Sequence, residues 1–175
     1  MRYFIGLIMV IVFAMSCIQP LKTLKINYQV KEDKGHKMLF GVINRSLIAN
    51  DTAFGWFNDN LKYGQPDAAA VNAFKQKKDK FSLLVFGGTW CEDTQNLLPK
   101  FYQLIDASGF PENKINLLAV DRKKETVKNF HFIYKITNVP TFIVLKNGLE
   151  VGRVKEYGTK GDITKELGEI VAGIK

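Results

Sequence analysis

One stretch, Phe81 to Thr94, reads FSLLVFGGTWCEDT and constrains this chain more than any other. The apolar run of Phe81, Leu83, Leu84, Val85 and Phe86 ends at Gly87-Gly88, which predicts a buried strand closing in a flexible turn. Leu97, Leu98, Phe101, Leu104 and Ile105 then recur at three- and four-residue spacings, so a helix follows with one apolar face against a sheet. Cys91 stands at the start of that helix. Unpaired backbone N–H groups and the helix dipole favour an anion there, and the thiolate is the form of cysteine that attacks disulfides.

Downstream, Gly109-Phe110-Pro111 breaks the chain and Ile115 to Val120 predicts a second strand. Strand, helix and strand at this spacing make a parallel pair with a right-handed crossover. Thr126 to Tyr134 reads as a short helix carrying His131, a surface or packing histidine. Thr141 to Lys146, the turn Lys146-Asn147-Gly148 and Leu149 to Lys155 form a hairpin, because Asn-Gly accepts positive φ. Ile163, Leu167, Ile170, Val171 and Ile174 give a terminal helix with an apolar stripe. The class is α/β, a central mixed sheet flanked by helices.

These landmarks resemble the thioredoxin-like family, whose Trp-Cys-x-x-Cys motif lies at the same strand-to-helix junction. Trp90-Cys91, Pro99 in the following helix, the segment Ile136-Thr137-Asn138-Val139-Pro140-Thr141-Phe142 and the final hairpin and helix come in the family's order, over roughly residues 81–175. The resemblance implies a thioredoxin-like fold. It also implies that Pro140 is cis and faces Cys91, with Val139, Pro140 and Thr141 forming the wall that holds an extended peptide or thiol ligand. Trp90, Cys91 and Thr94 then carry the chemistry. Two departures bear on that chemistry. Thr94 occupies the place of the second cysteine, and Val85 that of a buried acid which assists proton transfer when a mixed disulfide is resolved.

Glu92 and Asp93 are stabilised in a first helical turn by the dipole, yet their charge opposes ionisation of Cys91. The Thr94 hydroxyl, one turn on, is expected to hydrogen-bond the sulfur and favour the anion. The balance predicts a thiolate only modestly favoured over that of a free cysteine. Arg122, Lys123 and Lys124 fall at the C-terminal end of a central strand, where α/β folds bind ligands, and read either as a solvated turn or as a greeting for an acidic partner or a glutathione carboxylate.

At the N-terminus Arg2 precedes the apolar run Phe4 to Ala14, too short to span a bilayer but suited to a signal peptide. Ala14-Met15-Ser16-Cys17 is similar to a bacterial lipobox, with Ala14 where leucine is usual, so Cys17 is expected to be lipidated. The expected location is the bacterial cell envelope, facing the periplasm, with membrane attachment through an N-terminal lipid anchor. Cys91 is then the sole mature thiol, and with His36 and His131 the only histidines no zinc-type ligand cluster, metal or cofactor is expected. The expected divisions are a signal peptide over 1–16, a tether over 17–35, an N-terminal helical extension over 36–80 and a thioredoxin-like domain over 81–175.

Within that extension, residues 38–48 read either as a hairpin around Asn44-Arg45-Ser46 or as a helix, and a short strand over Leu24 to Val30 is compatible with the tether. Asp51 and Asp67 are candidate helix caps. Trp56 and Phe57 read as packing residues rather than a substrate platform. The net charge of +8 comes from scattered lysines with no aromatic-interleaved basic stripe, which argues against nucleic acid and for a surface near an anionic membrane.

The sequence thus predicts a tethered monothiol protein that exchanges disulfides or mixed disulfides through Cys91 with a partner protein or a small thiol. The alternative is a redox-inactive binding module that keeps the cleft for a partner protein or peptide. A peroxidase is disfavoured, because peroxiredoxin-type sites place the threonine before the cysteine.

Overall fold

The computed structural model describes residues 23–175. In chain order it contains β1 (Asn27–Asp33), β2 (His36–Ile43), α1 (Arg45–Ala49), α2 (Trp56–Asn60), α3 (Ala68–Lys77), β3 (Ser82–Gly87) and α4 (Glu92–Ser108). There follow β4 (Ile115–Ala119), α5 (Phe130–Ile133), β5 (Thr141–Lys146), β6 (Leu149–Lys155) and α6 (Ile163–Ala172). The strands form one sheet in the order β1-β2-β4-β3-β5-β6. Only β3 and β4 run parallel, and every other neighbouring pair is antiparallel, so the sheet is mixed as expected.

The two faces differ in how they are covered. On one, α3, α4 and α6 bury Phe74, Phe101 and Leu167 against Leu83, Val85 and Phe142 of the sheet. α3 and α6 approach so closely at Gly168 that a Cβ there would lie 2.4 Å from the Cβ of Ala70. The other face, with Leu84, Phe86, Leu118 and Ile143, is covered by Phe130, Tyr134 and Ile136, by Leu24, and by Trp90 and Cys91 themselves. The functional loop is therefore part of the second core, and its shape is set by packing as well as by its own sequence.

α4 runs through Pro99. A proline inside a helix supplies no N–H to the carbonyl four residues earlier. That carbonyl belongs to Gln95, and it accepts instead from Asn60 Nδ2 of α2 at 3.0 Å. The short helices before residue 68 thus satisfy a polar group that the active-site helix leaves open.

The largest difference from the sequence reading lies between residues 24 and 43. A tether to residue 35 with a short strand over Leu24 to Val30, then a helical extension from 36, was expected; the strand is present as β1, displaced to Asn27–Asp33, but it pairs with β2 in a hairpin that extends the sheet at one edge. β1 alternates Tyr28 and Val30 with Asn27, Gln29 and Lys31, and as an edge strand it leaves all of them at the surface, so its pattern is weak until β2 is beside it. Gly41 makes the pairing possible. Its φ is +119, and a Cβ there would come within 2.5 Å of the Asn27 carbonyl oxygen.

After β2 the ambiguity at residues 38–48 resolves into a strand and then a helix. Asn44 accepts from the Leu47 N–H as the cap of α1. Asp51 and Asp67 also cap, accepting from Ala53 and Ala70. The signal peptide over 1–16, Cys17 and the start of the tether lie outside the described residues.

Candidate active site

The site begins at the end of β3. Gly87 accepts from the Val120 N–H at 3.0 Å, which ties the turn to the segment after β4, and the Gly88 carbonyl accepts from the Cys91 N–H at 2.9 Å. These bonds bring Cys91 to the N-cap of α4, where its own carbonyl accepts from Gln95. The sulfur is partly exposed, and Cys91 is the one free cysteine among the described residues. Its thiol donates to the Val139 carbonyl oxygen at 3.3 Å.

Val139 precedes a cis bond to Pro140. The wall is firmly anchored: the buried Thr141 hydroxyl donates to Asn138 O at 2.7 Å, and Glu156 N–H donates to Pro140 O at 2.7 Å. The segment Val139-Pro140-Thr141 is thus brought to Cys91, through Val139 O, at the start of β5, the strand paired with β3. The geometry offers a partly exposed sulfur with a backbone carbonyl beside it.

The family model described as Thioredoxin matches residues 67–169. This chain belongs to the thioredoxin family. A thioredoxin from Echinococcus granulosus is 35% identical over 92 residues, which are 51% of this chain and 78% of that protein. A thioredoxin from Mycobacterium bovis is 26% identical over 92 residues, 53% of this chain and 75% of that protein. Among solved structures, a Pseudomonas aeruginosa protein of unknown function superposes with a TM-score of 0.55 at 16% identity, over 77% of this chain and 94% of its own, a likeness of fold alone. Family membership supports a thiol–disulfide function in general, with protein disulfides as the general class of target. The match begins at Asp67, so α3, assigned from sequence to an extension ending at residue 80, falls inside the thioredoxin region.

In this thioredoxin-family site Thr94 does something other than expected. It is buried, and its hydroxyl oxygen accepts the Gly88 N–H at 3.2 Å, while the Cys91 thiol points away toward Val139. Gly88 lies in a turn whose amide has no strand partner, and Thr94 is the side chain one helical turn in that can reach it. Thr94 therefore pins the turn rather than the sulfur. Glu92 and Asp93 occupy the first turn of α4. Val85 is buried between Leu117 and Phe142, so the position under the turn is apolar.

Trp90 is held at both ends of its ring system. Its Nε1–H donates to Val120 O at 2.9 Å, and the guanidinium of Arg122 lies 4.9 Å from its ring centre. Arg122 in turn donates from Nε to Asp33 of β1 at 2.7 Å. Two further ties bind the hairpin and α4 to the loop: Leu39 N–H donates to the buried Thr89 hydroxyl at 3.2 Å, and Gln95 Nε2 donates to Thr89 O at 2.9 Å. Sequence reasoning left Arg122 between a solvated turn and a ligand contact and did not single out Asp33, Thr89 or Gln95. A basic residue just past a central strand was the only available signal.

Trp56 and Phe57 both pack against the core: Phe57 is fully buried edge-on to Tyr102, with ring centres 5.7 Å apart, and Trp56 is partly buried against the same cluster while also lining a groove beside Trp90. His131 caps its own segment, with Nδ1 accepting from the Thr126 N–H at 3.1 Å.

Proposed function

We propose that this protein is a monothiol member of the thioredoxin family, tethered at the cell envelope, that makes and breaks mixed disulfides through Cys91 with a partner protein or a small thiol. The observation that carries the reading is the pairing of a partly exposed cysteine at the N-cap of α4 with a buried threonine at position 94. In the first step the Cys91 sulfur anion donates an electron pair to one sulfur of a partner disulfide. A new S–S bond forms, the partner's S–S bond breaks, and the departing sulfur leaves as a thiolate that takes a proton from water. In a dithiol enzyme a second cysteine would then attack Cys91 from within. Thr94 has no sulfur, so a second, external thiol must attack the mixed disulfide and regenerate Cys91.

The reading is tested by intact mass of the purified full-length protein after oxidised glutathione is added and removed. A single adduct is expected that maps to the Cys91 peptide, persists without reductant and is lost when excess reduced thiol is supplied. Failure of the folded protein to form it, with labelling only in denaturant, would leave the second reading. That reading is a binding module, and it is favoured by the apolar surroundings of Val85, which supply no acid for proton transfer.

The envelope tether rests on Arg2, the apolar run Phe4 to Ala14 and Ala14-Met15-Ser16-Cys17. Cells grown with an alkyne-bearing fatty acid should label the full chain and leave Cys17→Ser unlabelled. No label on the native chain would sink the lipid anchor.

A further inference from the structure

Lysines that are scattered along the chain are gathered in space. β3 and β4 run parallel with Leu83 opposite Ile115, and β5 runs against β3 with Leu145 opposite Ser82, so Lys80, Lys114 and Lys146 share the end of the sheet where β3 begins. Lys80 and Lys114 line one shallow groove of about 180 Å³ together with Asn147 and Gly148 of the β5–β6 turn. Lys78 belongs to the same end, because its carbonyl accepts from Lys114 Nζ at 2.9 Å. Lys25 joins from the N-terminal side: the Thr23 hydroxyl donates to Asn113 O, and the Leu24 N–H donates to Asn116 Oδ1 at 2.7 Å, both around the start of β4. Cys91 lies at the opposite end, past Gly87, where β3 finishes.

At this base of the sheet the acids are already held. Asp79 pairs with Lys114, Asp106 and Glu112 pair with Arg45, and Glu150 pairs with Arg153. Lys25, Lys78, Lys80 and Lys146 have no carboxylate partner among the described residues, and residues 1–22 contain no Asp or Glu that could supply one. The first three are exposed, and Lys146, half-buried, donates to a backbone carbonyl, Lys175 O, at 2.7 Å. The balance is different at the Cys91 end. There Lys123 and Lys124 stand among Asp121 and Glu125 in their own turn, with Glu92 and Asp93 at the head of α4.

We propose that this basic base of the sheet rests on the anionic headgroups of a bilayer, with Cys91 facing the aqueous side. Charge and chain path point to the same surface. The described chain begins on this end, with Thr23 bonded to Asn113. An acyl group at Cys17 would hold Thr23 close to the bilayer, since the span from Cys17 to Thr23 reaches at most about 20 Å. The six residues of β3 then carry the active-site turn about 20 Å further from the lipid. The field of an anionic surface falls off within a Debye length, about 8 Å at physiological ionic strength, so it acts on the lysines at the base and not on the charges around Cys91. The inference rests on the tether reading for what brings the bilayer near, but not for its test. Its consequence for exchange is that Cys91 meets disulfides that stand clear of the membrane.

The experiment is a lysine footprint of the purified full-length protein, mixed with vesicles of phosphatidylcholine alone or with one-third phosphatidylglycerol, using a water-soluble acetylating reagent and mass spectrometry of each lysine peptide. With the anionic vesicles Lys78, Lys80 and Lys146 should be acetylated about three- to fivefold more slowly than with the neutral ones. Molar salt should abolish the difference, because the attraction is between exposed charges. Lys123 and Lys124 should react at the same rate with both kinds of vesicle. The double variant Lys78→Glu, Lys80→Glu should remove the protection of Lys146.

Equal acetylation of the base lysines with both kinds of vesicle would overturn the proposal. So would equal protection of Lys123 and Lys124, which would mark net charge without orientation. Protection of Lys146 that survives the double variant or molar salt would also defeat it, since the base charges would then not be its cause. If polyglutamate protected these lysines and anionic vesicles did not, the surface would belong to an acidic protein, and the membrane proposal would again fall. The expected footprint on a native chain that takes no fatty-acid label would sink the lipid anchor and leave this inference standing.

Discussion

Cys91→Ser is expected to reduce the glutathione adduct on the folded protein to the background set by reagent alone. The reason is chemical before it is structural. A serine oxygen cannot form the S–S bond, and its hydroxyl does not ionise in the range where a thiol does. The substitution is also gentle on the fold. Cys91 is half-buried, its sulfur has one hydrogen-bond partner, Val139 O, and a serine hydroxyl can donate to the same carbonyl. Thermal unfolding of the variant should therefore match that of the native chain while exchange disappears, which separates lost chemistry from lost structure. An adduct that persists in Cys91→Ser would place the reactive sulfur elsewhere and refute the assignment.

Phe101→Ala is expected to destabilise the protein by about 3–5 kcal/mol, the usual cost of removing a fully buried aromatic side chain. Phe101 is buried in the middle of α4, and its ring stacks on that of Phe142 in β5, with centres 5.1 Å apart. The contact joins the helix that carries Cys91 to the strand that begins at Thr141, next to the wall at Val139. The ring lies between well-packed elements on the thickly covered face of the sheet, so the space it leaves cannot easily close. Urea unfolding should show a lower midpoint with an unchanged slope, the signature of lost stability without a change in the surface exposed. A loss below about 1 kcal/mol would mean that α4 is held mainly by other contacts and that the Phe101–Phe142 stack is dispensable.

The two variants divide the molecule usefully. One removes the reacting atom and leaves its frame, whereas the other weakens the frame at a distance and leaves the atom. In the second case any change in Cys91 reactivity under native conditions would report how far the helix N-terminus depends on the packing of its middle.

Much of the frame was legible along the chain. The run from Phe81 to Phe86, the helical spacing of Leu97 to Ile105, the Asn147-Gly148 turn and the stripe from Ile163 to Ile174 each carry a period or a turn signal within a few residues. The strand is buried in the sheet centre and the two helical stripes face the core, while Asn147 and Gly148 take positive φ in a surface turn, in agreement with those patterns. The hairpin was not legible in the same way. β1 is an edge strand with both faces partly in solvent, so no burial pattern marks it, and Gly41 discloses its purpose only once Asn27 is known to cross it. Thr94 was misread because its spacing from Cys91 suits a bond to the sulfur, while the amide it actually receives, from Gly88, becomes available only through the shape of the turn.

The sequence by itself determined that an α/β chain would carry one cysteine at the head of an amphipathic helix, with threonine and valine where a dithiol site would place a second thiol and an acid. The elements and the place of Cys91 are statements about neighbours in the chain, for which local periodicity and spacing are enough, whereas the meaning of Thr94 and Val85 is what the resemblance to thioredoxins implied. Only the tertiary structure decided what surrounds that cysteine. It brought Val139 to the sulfur across 48 positions and Asp33 to Arg122 across 89. Partners that far apart meet because the sheet order puts their strands at one end of the fold, and a hydrogen bond or ion pair between them leaves no repeat in the sequence from which it could be read.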